Sequence, residues 1–330
     1  MKTILVTGGA GFIGSNLVAT LLERNTHRVV ICDRFGNDNK WRNLRKHHVF
    51  EIISPECMYE WLEDNHQQVE MIFHLGGVSS TVEKDVDLVL KHNFTLSLQL
   101  WQWCNKHHVR LLYISSYAVY GDGEQGFDDR MDLEYLQSLR PMGPYGWSKL
   151  LFDVHVANVV NRKEFEIPQW VGLRMFNNYG PNEFHKLDNQ SVVSKIAPHA
   201  IQAGSVKLFR SHNPRYKDGE QRRDVIYIKD SVRVMLWFLD NPQISGLYNL
   251  GTGVASSFNE MALAIFSAIN RRANIHYIDM PESLAPHYQY YTQAKMDKLI
   301  AAGYSAPLMS LQDGVKDYVQ NYLLKDDPYR

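Results

Sequence analysis

The run TGGAGFIG at residues 7–14, entered from the apolar stretch TILVT at 3–7, most restricts what this chain can become. Gly8, Gly11 and Gly14 follow a GxxGxxG spacing, and Gly9, Gly11 and Gly14 also satisfy GxGxxG. Glycine here permits a tight turn and close approach of the backbone to a pyrophosphate. The phosphates then lie at a helix N-terminus, whose unpaired N–H groups and dipole stabilise negative charge. Phe12, Ile13, Leu17, Leu21 and Leu22 recur at helical spacing over 12–25, so the turn is predicted to join a strand to a helix. Asp33 ends a second predicted strand over 28–33, where a carboxylate accepts hydrogen bonds from an adenosine ribose and points to NAD. Arg34 follows at once, with Lys40, Arg42, Arg45 and Lys46 close behind, and a cation there suits the 2′-phosphate of NADP. Each of these cations is equally readable as a solvated surface residue. The cofactor choice stays open between the two dinucleotides, with the balance towards NADP.

Further apolar runs at 48–53, 71–76 and 110–115 alternate with helical patterns, notably 85–107. Such alternation predicts parallel strands with right-handed crossovers, hence an α/β doubly wound sheet of Rossmann type. Residues 170–177 read as a sixth strand, 246–253 as a strand running into a turn, and 230–240, 257–270 and 310–324 as helices. The segment 181–225 is polar, is interrupted by Pro198 and Pro214, and carries no regular pattern in this reading. The expected division is a dinucleotide-binding domain over 1–180, rejoined by 226–253, and a smaller, discontinuous α/β substrate-binding domain mainly from 181–330. The closing KDDPYR reads as a frayed, solvated tail.

Composition removes other classes. Thirty-five basic residues against 36 acidic ones give a net charge of −1, which argues against a generic nucleic-acid binder. No apolar run approaches the roughly 18 residues of a membrane span, and the N-terminus does not read as a signal peptide. Three scattered cysteines without CxxC fit a reducing cytoplasm. They give no metal signal, nor do the 14 histidines, which lack HxH or HExxH spacing. No metal is expected.

Tyr145 and Lys149 form a YxxxK pair in PYGWSK, with Pro144 suited to an early helical position. On a helix, i and i+4 share a face. A tyrosine hydroxyl is a poor base at neutral pH, and a neighbouring ammonium together with a positive nicotinamide favours the phenolate. Tyr145 is then placed to take a proton from a substrate hydroxyl while hydride leaves the same carbon. The pair alone is common by chance; its company gives it weight. Ser116, in ISSYAVYG at 114–121, offers a hydroxyl to the reacting oxygen, HLGG at 74–77 suits a cofactor cleft, and Asn93 sits on the next helical stretch.

TGGAGFIG, Asp33, FHLGG, SSYAVYG, YGWSK and RMFNNYGP occur in the order expected of the extended short-chain dehydrogenase/reductase (NAD-dependent epimerase/dehydratase) family, which the chain resembles over nearly its whole length. That resemblance implies a Ser116–Tyr145–Lys149 triad and a nucleotide-sugar substrate. FHLGGVSST at 73–81, RMFNNYGPNEFHK at 174–186, RRDVIYIKD at 222–230 and HYQYYTQAKMDKLIAAGY at 287–304 resemble the branch that epimerises C6 of an ADP-linked heptose for the lipopolysaccharide core. The resemblance implies dinucleotide contacts from Phe12, Ile13, Asp33, Arg34, Lys40, Leu75, Gly76, Gly77, Val78, Ser79, Asn93, Lys149, Asn178 and Lys186. It implies substrate contacts from Ser79, Asn177, Phe209, Arg210, Ser211, His212, Arg223 and Tyr288. Lys186 becomes a second acid/base opposite Tyr145. A cytoplasmic homo-oligomer that meets neither nucleic acid nor membrane is expected.

The chain departs from the pattern after His185-Lys186, where the family usually has glycine, small residues or methionine and this chain has LDNQ at 187–190. Asp188 stands where a small residue is expected and Lys195 where some members carry histidine. An epimerase or reductase of another nucleotide sugar is therefore the alternative, with a non-catalytic NADP-binding regulator behind it. A 4,6-dehydratase needs an acid and a base directly after the serine, and Tyr117-Ala118 supplies neither. Arg223 suits a diphosphate; Arg222 is open between phosphate and a structural ion pair.

Overall fold

A computed structural model describes residues 1–81, 83–281 and 288–330. In chain order the strands are β1 (Thr3–Thr7), β2 (Arg28–Cys32), β3 (Glu51–Ile53), β4 (Val69–His74), β5 (Arg110–Ser116), β6 (Trp170–Met175), β7 (Asn177–Tyr179), β8 (Val206–Phe209), β9 (Arg222–Tyr227), β10 (Gly246–Leu250), β11 (Ala255–Ser257) and β12 (Ile275–Ile278). Seven form one sheet in the order β10-β6-β5-β4-β1-β2-β3, and every pairing in it is parallel. β1, β6 and β10 are buried along their whole length, as a sheet covered on both faces requires. Strand order reverses beside β1, where β2 lies on one side and β4 on the other, and such a crevice is where open α/β sheets bind ligands.

Two smaller sheets stand beyond the carboxyl ends of these strands: β11-β9-β7 and β12-β8. The predicted strand over 170–177 therefore divides. It runs in the large sheet to Met175, and Asn177 opens β7, paired with Val225 of the second sheet. This transfer sets Asn177 and Asn178 at the junction of the sheets.

The segment 181–225 is more regular than its composition suggests. It contains a helix, Val192–Gln202, with Pro198 inside it. Val193, Ile196, Ala197 and Ala200 are buried at helical spacing, and Ser191 caps the N-terminus by accepting from the Ser194 N–H. That apolar stripe outweighs the lost hydrogen bond of an interior proline. The stretch 86–107 is helical, capped by Asp85, but Lys91–Thr95 forms a wide π turn between Val86–Leu90 and Leu96–His107.

The tail reading is overturned. Residues 327–330 fold back onto the body of the protein, and the Arg330 guanidinium donates to Thr20 Oγ1 at 2.7 Å and to Glu23 at 3.0 Å. Asp327 pairs with Arg45 at 2.8 Å and Lys46 at 3.0 Å. A short charged peptide frays only where the body offers it no partners, and here the first helix and the 40–47 segment supply several.

Candidate active site

The glycine-rich turn has the shape a pyrophosphate needs. Gly8 has φ +68°, and a Cβ on it would lie 2.7 Å from the Gly76 nitrogen. A Cβ on Gly14 would lie 2.1 Å from the Gly8 carbonyl oxygen. The turn is thus packed to backbone contact against both the segment that follows β4 and its own helix. The helix Phe12–Arg24 starts at Gly11 with no side-chain cap and no acidic residue in its first turn, so its leading N–H groups keep free valence for an anion. Asp33 Oδ2 accepts from the Ala10 N–H at 2.8 Å, and Lys40 Nζ lies 3.0 Å from Asp33 Oδ1. Arg34 pairs with exposed Glu56. Arg45 and Lys46 are taken up by Asp327, and Arg42 lies over Trp41. The residues present fit a dinucleotide.

Buried His74 connects the turn to the segment after β4. Thr7 Oγ1 accepts from the Gly76 N–H at 3.0 Å and, because Ser97 spends its proton on Asn93 and leaves Nδ1 of the neutral ring as the acceptor, donates to His74 Nδ1 at 2.8 Å. The other ring nitrogen then donates to Ser97 Oγ at 2.9 Å, and Ser97 donates to the Asn93 carbonyl at 2.7 Å. Burial, helped by the Lys149 charge, pushes His74 down to about 3 and keeps it neutral in this chain of bonds. Asn93 Oδ1 accepts from the Val78 N–H at 2.8 Å, while its Nδ2 donates to Val78 O and Ser148 Oγ. Asn93 is fully buried, so it shapes the Leu75–Ser79 segment from behind.

Pro144 begins the helix Pro144–Arg162 as expected, and Tyr145 and Lys149 project from it one turn apart. Lys149 is buried, donates to the Ile114 carbonyl at 3.0 Å, and is pushed down to about 8 by burial, with Asp153 opposing. Tyr145 hydrogen-bonds Ser116, which lowers its pKa, but burial is the larger effect and raises it. The expected lowering by the ammonium does not contribute: Lys149 Nζ is directed at the Ile114 carbonyl. Of the adjacent serines, Ser115 donates to Asp153 at 2.9 Å, leaving Ser116 for Tyr145.

A cavity of about 920 Å³ opens beside this helix, between the large sheet and the two small ones. Tyr145 and Ser116 line one side, with Phe12, Ile13 and Ser79. Lys186 enters from the short helix Phe184–Asn189, its Nζ 5.3 Å from the Phe12 ring centre. Burial pushes Lys186 down, while Glu183 partly restores it. Asn177, Asn178, Phe209, Arg223 and Tyr288 complete the expected residues on the wall. Arg223 is buried between the Tyr288 and Phe258 rings, at 5.4 and 6.0 Å. Among the described residues it has no carboxylate partner, whereas Arg222 pairs with Glu220 and Glu260.

Arg210, Ser211 and His212 stand off the cavity wall. Arg210 pairs with Asp279 at 3.1 Å, Ser211 N–H donates to Asp218, and His212 N–H donates to Tyr290. Residues not singled out as contacts also reach the wall, among them Thr81, Tyr117, Gln190, Lys195 and Lys207. Tyr117 was legible as the neighbour of Ser116, Thr81 closes the FHLGGVSST run, and Gln190 and Lys195 stood among the departures from the family pattern; Lys207 needed β8 to be seen. Lys186, Lys195, Lys207 and Arg223 give the wall four cations, and no carboxylate lies on it among the described side chains, which do not include that of Asp188. Such a cavity favours a polyanion. None of the described residues form a metal-ligating cluster, and no described helix is long and apolar enough to cross a membrane.

Residues 4–251 match the family described as NAD dependent epimerase/dehydratase. The ADP-L-glycero-D-manno-heptose-6-epimerase of Fusobacterium nucleatum subsp. nucleatum is 41% identical over 334 residues, covering 99% of each chain. The crystal structure of Helicobacter pylori ADP-L-glycero-D-manno-heptose-6-epimerase matches with TM-score 0.80 at 31% identity, over 97% of this chain and 96% of that one. UDP-glucuronic acid 4-epimerase from Bacillus cereus, solved with UDP-glucuronic acid and NAD, matches with TM-score 0.72 at 25% identity, over 97% and 99%. With sequence likeness running end to end along a shared fold, the chain belongs to the NAD dependent epimerase/dehydratase family.

Proposed function

We propose that this protein inverts C6 of the heptose in ADP-D-glycero-D-manno-heptose, giving the L-glycero epimer, by transient oxidation and re-reduction with a retained NADP. The observation that carries the reading is the convergence of Tyr145 and Lys186, from separate elements, on one cation-lined cavity. The full-length likeness to the Fusobacterium enzyme supports the choice of sugar. Lys40 beside Asp33 offsets the carboxylate, and with exposed Arg34 it supports a 2′-phosphate, hence NADP over NAD.

A nicotinamide dinucleotide, when bound, supplies reversible hydride transfer. Gly8, Gly11, Gly14 and the first turn of the following helix would hold its pyrophosphate. Asp33, Arg34 and Lys40 would hold its adenosine end, and Leu75–Ser79, Lys149 and Asn178 its remaining length. Arg223, buried, held by the Arg222 and Gln289 carbonyls and without a carboxylate partner among the described residues, grips the ADP diphosphate between two aromatic rings. Ser116 orients the reacting hydroxyl. Tyr145 or Lys186 takes the proton of the C6 hydroxyl as hydride leaves C6, and a ketone forms. The ketone turns its other face, the same hydride returns, and the other residue supplies the proton. Two acid/bases account for inversion at a carbon whose hydrogen is not acidic.

Incubation of the purified protein with ADP-D-glycero-D-manno-heptose, without added cofactor, followed by proton NMR, tests the reading. The L-glycero epimer is the expected product. No change after supplementing NADP and NAD would overturn the assignment and direct attention to other nucleotide sugars.

A further inference from the structure

Residues 327–330 touch three segments that are far apart in sequence, and each of the three carries a residue assigned above to the dinucleotide. The first is the helix that begins with Phe12 and Ile13. Arg330 donates to Thr20 Oγ1 at 2.7 Å, to Glu23 at 3.0 Å and to the Asn16 carbonyl at 3.4 Å. The second is the stretch that follows Lys40. Asp327 pairs with Arg45 and Lys46, the Arg45 guanidinium lies 5.4 Å from the Tyr329 ring centre, and His47 Nε2 lies 3.2 Å from the Arg330 carbonyl oxygen. The third is the stretch that leads to Lys186. The Arg330 N–H donates to Asn182 Oδ1 at 2.9 Å, and the Tyr329 ring meets Phe184 edge-on at 5.4 Å.

The three segments are also cross-linked beneath this peptide. Asn182 Nδ2 donates to Ser15 Oγ at 3.0 Å, and Asn16 Nδ2 to the Pro181 carbonyl at 3.0 Å. Asn43 Nδ2 donates to the Ala10 carbonyl of the glycine-rich turn at 2.9 Å and lies 3.3 Å from His185 Nδ1, beside Lys186. Displacement of the 40–47 or 182–190 segment would therefore break contacts with the peptide and open the groove along the glycine-rich turn.

We infer that the Asp327–Arg330 peptide is a strap that retains the dinucleotide, by holding the Lys40 and Lys186 segments closed over the first helix. This rests on the reading above only in placing a dinucleotide on the glycine-rich turn. An epimerase whose hydride returns to its own substrate gains nothing from cofactor exchange, so a strap that slows exchange suits it. Asp327 and Arg330 act through the segments they hold; they are positioning residues.

The test uses the full chain carrying Tyr329→Ala and Arg330→Ala together. Wild-type and variant protein are loaded with NADPH, or in parallel with NADH, freed of excess, and diluted into the oxidised form. The fall in bound-nucleotide fluorescence then gives the release rate, with no sugar present. The expected result is release at least ten-fold faster in the variant, with apo melting temperature little changed and epimerase activity restored by excess NADP. Release at the wild-type rate would overturn the strap. So would faster release accompanied by a general loss of apo stability, which marks ordinary packing. Should the variant not fold, hydrogen exchange on the wild-type protein decides. Peptides covering 40–47, 182–190 and 325–330 are expected to gain protection together on NADPH binding. Independent behaviour of the last peptide would overturn the proposal. Because release is read without heptose, failure of the strap is distinguishable from failure of the epimerase assignment.

Discussion

Arg174 Nε donates to Asp153 Oδ2 at 2.8 Å, and both side chains are wholly buried. Asp153 lies one turn beyond Lys149 on the same helix and also accepts from Ser115, so the pair braces the strand and helix that carry Ser116 and Tyr145. Burial pushes the Asp153 carboxyl up and Arg174 pulls it back. Removing one partner of such a pair leaves a buried charge uncompensated, at about 3–5 kcal/mol. Arg174→Met is expected to lower stability by that order in urea unfolding, and Arg174→Met with Asp153→Leu to recover part of the loss.

Lys149 stands at about 8 in the fold against 10.5 in its ordinary state. Between those values the unfolded chain binds the additional proton, so this group makes stability rise with pH across that window and contributes a constant cost below it. The cost is on the order of 3 kcal/mol at neutral pH. Lys149→Met is expected to raise the melting temperature at pH 7 and flatten its dependence between pH 8 and 10.5, while turnover falls by orders of magnitude. Wild-type turnover should decline above about pH 8 as the ammonium is lost.

Tyr145→Phe and Lys186→Met each remove one of the two proposed acid/bases. Each is expected to suppress epimerisation by about 10²–10⁴-fold, the usual weight of a positioned acid or base. Bound dinucleotide should persist in both, as read by absorbance of the purified protein. Near-normal turnover in Lys186→Met would remove the two-base scheme.

Leu187 follows the second of these residues with φ +47° and ψ −117°, a conformation that suits glycine, and the residue is 73% exposed. A branched side chain held there stores about 1–3 kcal/mol of strain. Glycine relieves it against about 1 kcal/mol of added chain entropy. Leu187→Gly is expected to stabilise the protein by about 1 kcal/mol in denaturant titration, with little packing to lose.

Glu56 holds Arg34, proposed above for the adenosine end of the dinucleotide, in an exposed ion pair. Glu56→Gln would free the guanidinium for a 2′-phosphate. Calorimetry on apo protein should then show NADP binding strengthened several-fold, and NAD binding little changed. Equal changes for both dinucleotides would separate Arg34 from cofactor choice.

The dinucleotide half was legible because its signals are local: apolar runs of strand length, glycines at fixed offsets, and a tyrosine–lysine pair at helical spacing. The polar wall of the cavity was less so. The 192–202 helix shows a four-residue apolar stripe, but Pro198 within it argued for a break. Arg210, Ser211 and His212 were assigned by likeness alone, and the partners Asp279, Asp218 and Tyr290 that engage them come from elsewhere in the fold. The strap was invisible for the same reason. Asp327 and Arg330 are charged residues in a polar hexapeptide, and only the folded chain brings Arg45, Lys46, Thr20 and Asn182 to meet them.

The wide turn at Lys91–Thr95 has a consequence for how this chain tolerates change in length. A π turn accommodates one residue more than regular α-helical winding would. Deleting a single residue between Lys91 and Thr95 would let the turn close to regular α-helical winding, with the helices on either side in nearly the same rotational register. Asn93, within that turn, would leave Val78, and the segment after β4 would lose its support. The helix is therefore indifferent to such a deletion as a helix, and intolerant of it as the backing of the cofactor groove.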